Sequence, residues 1–333
     1  MDGSDFQALL DAQHGILDSA QLRRSGYPWS RVRHRVDTGQ WQSVLHGVVA
    51  VSSGPLTRPM ILSAALVYGG PHAILSHQSA LEHWGMIREP DGPIHITVPR
   101  KNSAISQAPA TRTAAAHPTA GVGEVLHPGV QVHRSLAIKH IRVDHERPVS
   151  SVAAAVVDVA VAQPTAPEAM SAFVALATNG RIPLRLLRQQ LELRRPRRYR
   201  RALVDAVALL ADGVQSVLEY EYATNVEHAH GLPSPDRQGP VVVDGRTLFE
   251  DVVYDEFGAE LTVRLDGRGT HSMAEVAFRD RRRDNAAELA GRARLVFGYP
   301  ETHHDPCGVF AQVRTILVRE GWVDTSHPCP RCA

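Results

Sequence analysis

Asp251, Asp266, a histidine and a run of arginines fall within Phe249 to Asp284. Asp251 opens an apolar strand, a Gly-containing turn follows, and a second apolar strand ends in Asp266-Gly267. His271 comes next, and the segment FRDRRRDN closes the stretch. Carboxylates gathered at strand ends beside cations are what metal-assisted hydrolysis of a phosphodiester requires. In such a site Asp251 binds Mg²⁺ and a second acid, Asp266, completes the inner shell. His271 moves a proton, and Arg279, Arg282 or Arg283 offsets charge in the transition state. Arg264 sits two residues before Asp266, so strand alternation puts both on one face about 7 Å apart. A fixed cation there opposes metal binding.

Other residues have metal-ligating types. His77, His83 and His95 lie close in sequence, but the surrounding S-H-Q-S-A-L-E-H-W pattern reads as a packed helix start with hydrogen-bonded core histidines. Cys329-x-x-Cys332 is a zinc half-site by spacing, and Cys307 with His303 or His304 would complete it. With three cysteines in the chain and the pair at its end, the expectation is a frayed tail carrying free thiols rather than zinc. Between Arg181 and Arg201 there are nine arginines and one acid, Glu192, with Tyr199 among the cations. That cluster suits either a phosphate backbone or a solvated linker.

The elements that position these groups can be read in outline. Phe6, Leu9 and Leu10 give a first helix an apolar face. Asp18 caps a second helix, with Gln21 three residues on, and that helix ends at Gly26. Pro28 suits the first turn of a third helix running to about Thr38. WQSVLHGVVAVSS then alternates and bends at Gly47 like a two-stranded wing. On the third helix Trp29, Val32 and Val36 share a face, while Arg31, His34 and Arg35 share the opposite one. This is the pattern of a recognition helix in a DNA groove, and also that of an ordinary solvated face. The stretch Lys101 to Gly123 reads as a mobile loop or linker. An apolar run from Val152 to Ala162 precedes helices over about 167–178, 183–192 and 198–211, and Ser216 to His230 reads as a further helix.

The chain has 333 residues, 43% of them hydrophobic, and a net charge of +1, enough for two or three domains with real cores. Its lysines are Lys101 and Lys139 alone, so arginine abundance by itself is a weak sign of nucleic acid. No run of about 18 apolar residues suggests a membrane span. The N-terminus carries acids where an export signal carries cations, and three cysteines make no disulfide framework, so a cytoplasmic protein is expected.

ILDSAQLRRSGYPWSRVRHRVDTGQWQSVLHGVVAV resembles the N-terminal winged-helix domain of AbiEi-type antitoxins of type IV toxin–antitoxin systems. AALVYGGPHAILSHQSALEHWGM, IHITVPR and VQVHRS extend the resemblance over about half the chain. It implies promoter binding through Arg31, His34 and Arg35, and a toxin as protein partner. Residues 214–323 resemble the restriction-endonuclease-like fold near very-short-patch-repair endonucleases. Matched by residue, Glu219 stands for the helix carboxylate, Asp251 for the central metal-binding aspartate, and Asp266 with His271 for the D-G-x-x-x-H segment. The chain departs from that pattern at Arg264, where an acid is usual, and has no lysine after Lys139; the short-patch-repair subgroup does without the lysine.

The expected fold class is α+β and multidomain. A winged helix spans 1–55, a mixed α/β region 56–150 and a helical connector with the arginine cluster 151–213. A restriction-endonuclease-like domain follows over 214–323, then a CxxC tail over 324–333. The expected function is DNA binding, as a regulator or antitoxin-like factor carrying a nuclease-fold domain. The alternatives are a Mg²⁺-dependent DNA endonuclease and a non-catalytic protein-interaction scaffold.

Overall fold

The computed structural model describes residues 3–111, 125–214, 216–243, 246–255, 260–266 and 292–332. The protein is a mixed α and β chain that divides into two compact units. One comprises Met1–Gln163 with Gln189–Arg198, and the other Pro164–Arg188 with Tyr199–Ala333. Among the described residues no helix is long and apolar enough to cross a membrane.

The first unit begins α1 (Gly3–Ala12), β1 (Ile16–Asp18), α2 (Ser19–Arg24), α3 (Trp29–Asp37), β2 (Gln42–Leu45) and β3 (Val48–Ala50). Asp18 and Gln21 close a reciprocal capping box: Gln21 N–H donates to Asp18 Oδ1 at 2.7 Å, and Asp18 N–H to Gln21 Oε1 at 2.8 Å. Pro28 is the N-cap of α3, one residue before the helix it was expected to open. Gly47, at φ +72°, makes the tight β2–β3 bend. β1, missed in the sequence, pairs antiparallel with β3, giving the sheet order β1-β3-β2. Leu17, Leu22, Val32, Trp41 and Val49 form the core beneath. Trp29 was expected beside Val32 on the apolar face; it is instead 57% exposed and outside that core.

Next come α4 (Arg58–Gly69), β4 (Ile74–Leu75), α5 (His77–His83), β5 (Ile94–Pro99), β6 (Ala110–Thr111), β7 (Val125–His127), β8 (Val130–Ser135), α6 (Ile138–Ile141), β9 (Arg142–Asp144), β10 (Pro148–Ser150) and α7 (Val152–Val161). Among the described residues five of these strands make a mixed sheet, ordered β8-β5-β4-β10-β9. The apolar run from Val152 is α7, buried nearly all round. Its one acid, Asp158, meets Arg194 at 2.5 Å, and Arg194 also donates to the Ala154 carbonyl. One member of the arginine cluster is therefore structural, while the other eight are exposed.

The second unit contains α8 (Ala166–Asn179), the first residues of α9 (Leu184–Arg194) and α10 (Arg200–Ala211), close to their expected limits. α11 (Val217–Glu221) runs into a π-helical stretch, Tyr222–His228. Then follow β11 (Asp236–Val243), β12 (Arg246–Tyr254), β13 (Leu261–Asp266), β14 (Ala293–Gly298), α12 (Tyr299–His304) and α13 (Pro306–Arg319). The four strands lie in the order β11-β12-β13-β14, antiparallel except for the parallel β13–β14 pair. Val252, Tyr254, Leu261 and Val263 face a core shared with Tyr222, Val226, Val313 and Leu317.

Within that core, Glu227 from the π-helical stretch pairs with Arg237 of β11 and accepts from Tyr254 Oη at 3.3 Å. Burial pushes the Glu227 carboxyl up to about 7, against the opposing pull of Arg237 and Tyr254. The ordinary unfolded value is about 4.3, so this group favours the fold below that pH, and the contribution is lost as pH rises through about 7. Glu227→Gln has no proton to lose there. Urea unfolding at about pH 5 and about pH 8 should show the variant gaining on wild type at the higher pH by on the order of 3 kcal/mol. A pH-independent gap would show that Glu227 stays ionised throughout.

Candidate functional site

The acids of the second unit are set by a helix start and by strand alternation. Ser216 caps α11: its Oγ accepts from Glu219 N–H and donates to Glu219 Oε1, both at 3.1 Å. This holds the Glu219 side chain at 5% exposure. Across a cavity of about 1030 Å³, Asp266 ends β13 and Glu301 lies in the first turn of α12. Glu301 Oε2 accepts from Gly298 N–H at 3.0 Å, closing that turn. Sequence reading missed Glu301, although Gly298-Tyr-Pro-Glu301 is a visible helix-start pattern. Glu219 and Asp266, two of the expected site residues, thus line one cavity together with a third carboxylate, Glu301.

Asp251 was expected to open its strand; β12 begins five residues earlier, at Arg246. The pairing Val252↔Val263 brings Asp251 beside the end of β13, where its Oδ2 accepts from Leu265 N–H at 2.8 Å. Val252 and Val263 belong to the core, so alternation places Asp251, Arg264 and Asp266 on the opposite face. Arg264 is only 8% exposed. His271, Arg279, Arg282 and Arg283 lie outside the described residues.

Carboxylate oxygens are the right donors for Mg²⁺, which is commonly held by one or two acids plus substrate phosphate. The charge is less suitable, since Arg264 is buried on the face that carries both aspartates. Among the described residues, two groups of histidine, cysteine or acid ligand atoms converge within 4.8 Å. They are His77 with His95 and His133, and His230 with Cys307, Cys329 and Cys332. Neither contains Asp251 or Asp266.

Of the three histidines singled out in the sequence, His77 and His95 meet, and His133 of β8 joins them. His83 pairs elsewhere, with His145 at 3.1 Å. The His77 and His133 rings stack at 3.7 Å between centroids, which is packing geometry rather than convergence of lone pairs on a point. Burial is the main cause that pushes His77 and His133 down to about 3, and it lowers His95 as well.

The second candidate surface is α3. Val32 is buried in the core, and Arg31, Arg33 and His34 are exposed. Arg35 is half-buried, its guanidinium 5.0 Å from the Trp41 ring centroid and 5.8 Å from that of Tyr27. Arg31 lies 5.9 Å from the Tyr27 ring centroid. These aromatic platforms fix the direction of two cations.

No protein-family model matches the chain, and no curated protein shows significant similarity to it.

The electrostatic conflict at β13 gives a direct test. Replacing Arg264 by Glu exchanges a cation for a ligand-type oxygen beside Asp266. Isothermal titration with Mn²⁺ should show affinity at least about tenfold higher for Arg264→Glu than for wild type, with Arg264→Ala between them. Equal affinities in all three would mean that the arginine does not limit metal binding at this face.

Proposed function

We propose that this is a DNA-binding protein in which residues 1–55 form a winged helix and α3 enters a DNA groove. The carrying observation is the outward, cationic face of a helix whose inner face is locked by Val32. The supporting frame is the order helix, strand, helix, helix, strand, strand, with the β2–β3 hairpin beside the opening strand. That order is compatible with a winged helix and supports the reading. Arg31, Arg33 and His34 are the groups that reach phosphates or base edges, and Arg35 contributes from its seat on Trp41. Exposed Trp29, at the start of α3, stands where stacking or sugar contact is available.

The second unit supports the companion reading. Among the described residues a helix, three antiparallel strands and a further strand parallel to the third support a restriction-endonuclease-like reading. With Arg264 buried beside its acids, we read this domain as one retained for binding or scaffolding. The whole chain is then a cytoplasmic regulator or antitoxin-like factor with DNA as partner and a toxin as a possible second one.

The shared cavity of Glu219, Asp266 and Glu301 favours a second reading, a Mg²⁺-dependent endonuclease. Asp251 and Asp266 would hold the ion, which when bound polarises a phosphoryl oxygen and acidifies a water. Glu219, fixed by Ser216, would order the cavity wall against substrate.

Fluorescence anisotropy with a random-sequence duplex pool separates these. A DNA-binding protein loses affinity steeply between about 50 and 200 mM salt. Arg31→Ala should weaken binding about tenfold and reduce the salt slope by about one, with Asp251→Ala neutral. Plasmid cleavage in Mg²⁺ or Mn²⁺ that disappears in Asp251→Ala would establish the endonuclease instead. Salt-insensitive, weak binding by wild type and Arg31→Ala alike would leave a protein-interaction scaffold.

A further inference from the structure

We propose that His230, Cys307, Cys329 and Cys332 form a structural zinc site that clasps the C-terminal tail to the end of the α11–π helix. All three cysteines of the chain meet there, from positions 22 and 25 residues apart along the chain, together with a histidine 102 residues from Cys332. The Sγ atoms of Cys307 and Cys329 are 3.6 Å apart, those of Cys329 and Cys332 3.6 Å, and those of Cys332 and Cys307 3.3 Å. His230 Nε2 lies 3.4 Å from Cys332 Sγ. Four ligands around zinc, with Zn–S of about 2.3 Å and Zn–N of about 2.0 Å, require tetrahedral edges of about 3.5 to 3.8 Å. A disulfide would bring two sulfurs to about 2.05 Å and leave the third out. Three nearly equal separations fit one central ion instead.

The surroundings orient each donor. His230 is fully buried, and its Nδ1–H donates to the Val226 carbonyl at 3.0 Å, which turns the Nε2 lone pair toward the sulfurs. The ring also stacks on Phe310 at 4.1 Å with a 10° interplanar angle. Cys329-Pro-Arg-Cys332 closes as a turn: Cys332 N–H donates to the Cys329 carbonyl, and Arg331 N–H donates to Cys329 Sγ at 3.3 Å. Cys307 sits in the first turn of α13. His327 N–H donates to the His230 carbonyl at 3.0 Å. Gly231 at φ +69° leaves room for that approach, since a Cβ there would come within 2.9 Å of the His327 ring.

Four protein ligands leave no open position, which marks a structural rather than a catalytic zinc. The residues expected to complete the site, His303 and His304, are not used; His303 instead meets Glu221 and Tyr299. The tail after Trp322 has no helix or strand among the described residues, yet Cys329 is buried. An ion adds an anchor to the backbone hydrogen bond between His327 and His230.

The full chain, purified without added metal under reducing conditions, should contain about one zinc per molecule by elemental analysis. Intact-mass alkylation should leave the three thiols unmodified until a strong chelator is added, and chelation should lower the thermal midpoint. Refilling with Co²⁺ should produce thiolate-to-cobalt charge-transfer absorption. Cys332→Ser, at an exposed position, should fold while losing most of the zinc, and Cys307→Ser should do the same. Zinc-free wild type with no cobalt charge-transfer band, or zinc content unchanged in both variants, would overturn the proposal. So would a disulfide among these cysteines in the reduced preparation.

Discussion

The second unit is organised by one buried polar pair, Glu227 with Arg237, in the last turns of the helix that begins at Val217. Glu227 is 2% exposed, and a carboxyl group that deep is tolerated because Arg237 and Tyr254 hydrogen-bond to it. Arg237 comes from β11 and Tyr254 from β12, so the pair fixes both the rotation of the helix and its distance from the sheet. Tyr222 Oη lies 3.1 Å from Tyr254 Oη and continues the network. The segment is π-helical from Tyr222 to His228, a wider winding that shifts what the residues beyond it face. Upstream of this point the helix carries Glu219 to the cavity, and downstream it carries His230 to the cysteines.

Electrostatics in this chain is local. A net charge of +1 gives no general attraction to polyanions. What matters is that α3 presents its cations outward and steadies two of them on Tyr27 and Trp41. Arg194, by contrast, spends its charge on Asp158, and Arg264 sits buried on a sheet face with two acids. The same residue type is thus an outward-facing cation, a structural strut or a buried charge beside acids, according to its burial and neighbours.

Features set by local chemistry were legible in the sequence. The Asp18–Gln21 capping box, the Gly47 bend and the helices near 167–178, 183–192 and 198–211 depend on residues within a few positions of each other. The pairing of Glu219 with Asp266 was reachable through resemblance to a known pattern. Features set by distant contacts were not legible. β1 has three residues and exists because β3 pairs with it thirty residues later. Trp29 satisfies helical periodicity, but periodicity cannot tell where the core ends, and the tryptophan lies beyond it. His133 and His230 gave no signal, since each meets its partners only through tertiary folding.

The zinc clasp and the acid cavity bear on each other through this helix. A tail of ten residues outside any helix or strand gains little from the His327–His230 backbone hydrogen bond and the burial of Cys329 against the entropy of ordering it. A metal cross-link changes that balance, because the ligand set forms only when α13, the tail and the helix end are all in place. The same link restrains His230, and through the intervening turns it restrains the rotation of the helix whose first turn carries Glu219. α12, which supplies Glu301, is joined to α13 and hence to Cys307 by Asp305, whose Oδ1 accepts from Gly308 N–H at 2.9 Å. Two of the three cavity carboxylates therefore lie on elements that end at the clasp. On this argument the metal is part of what holds the cavity in shape.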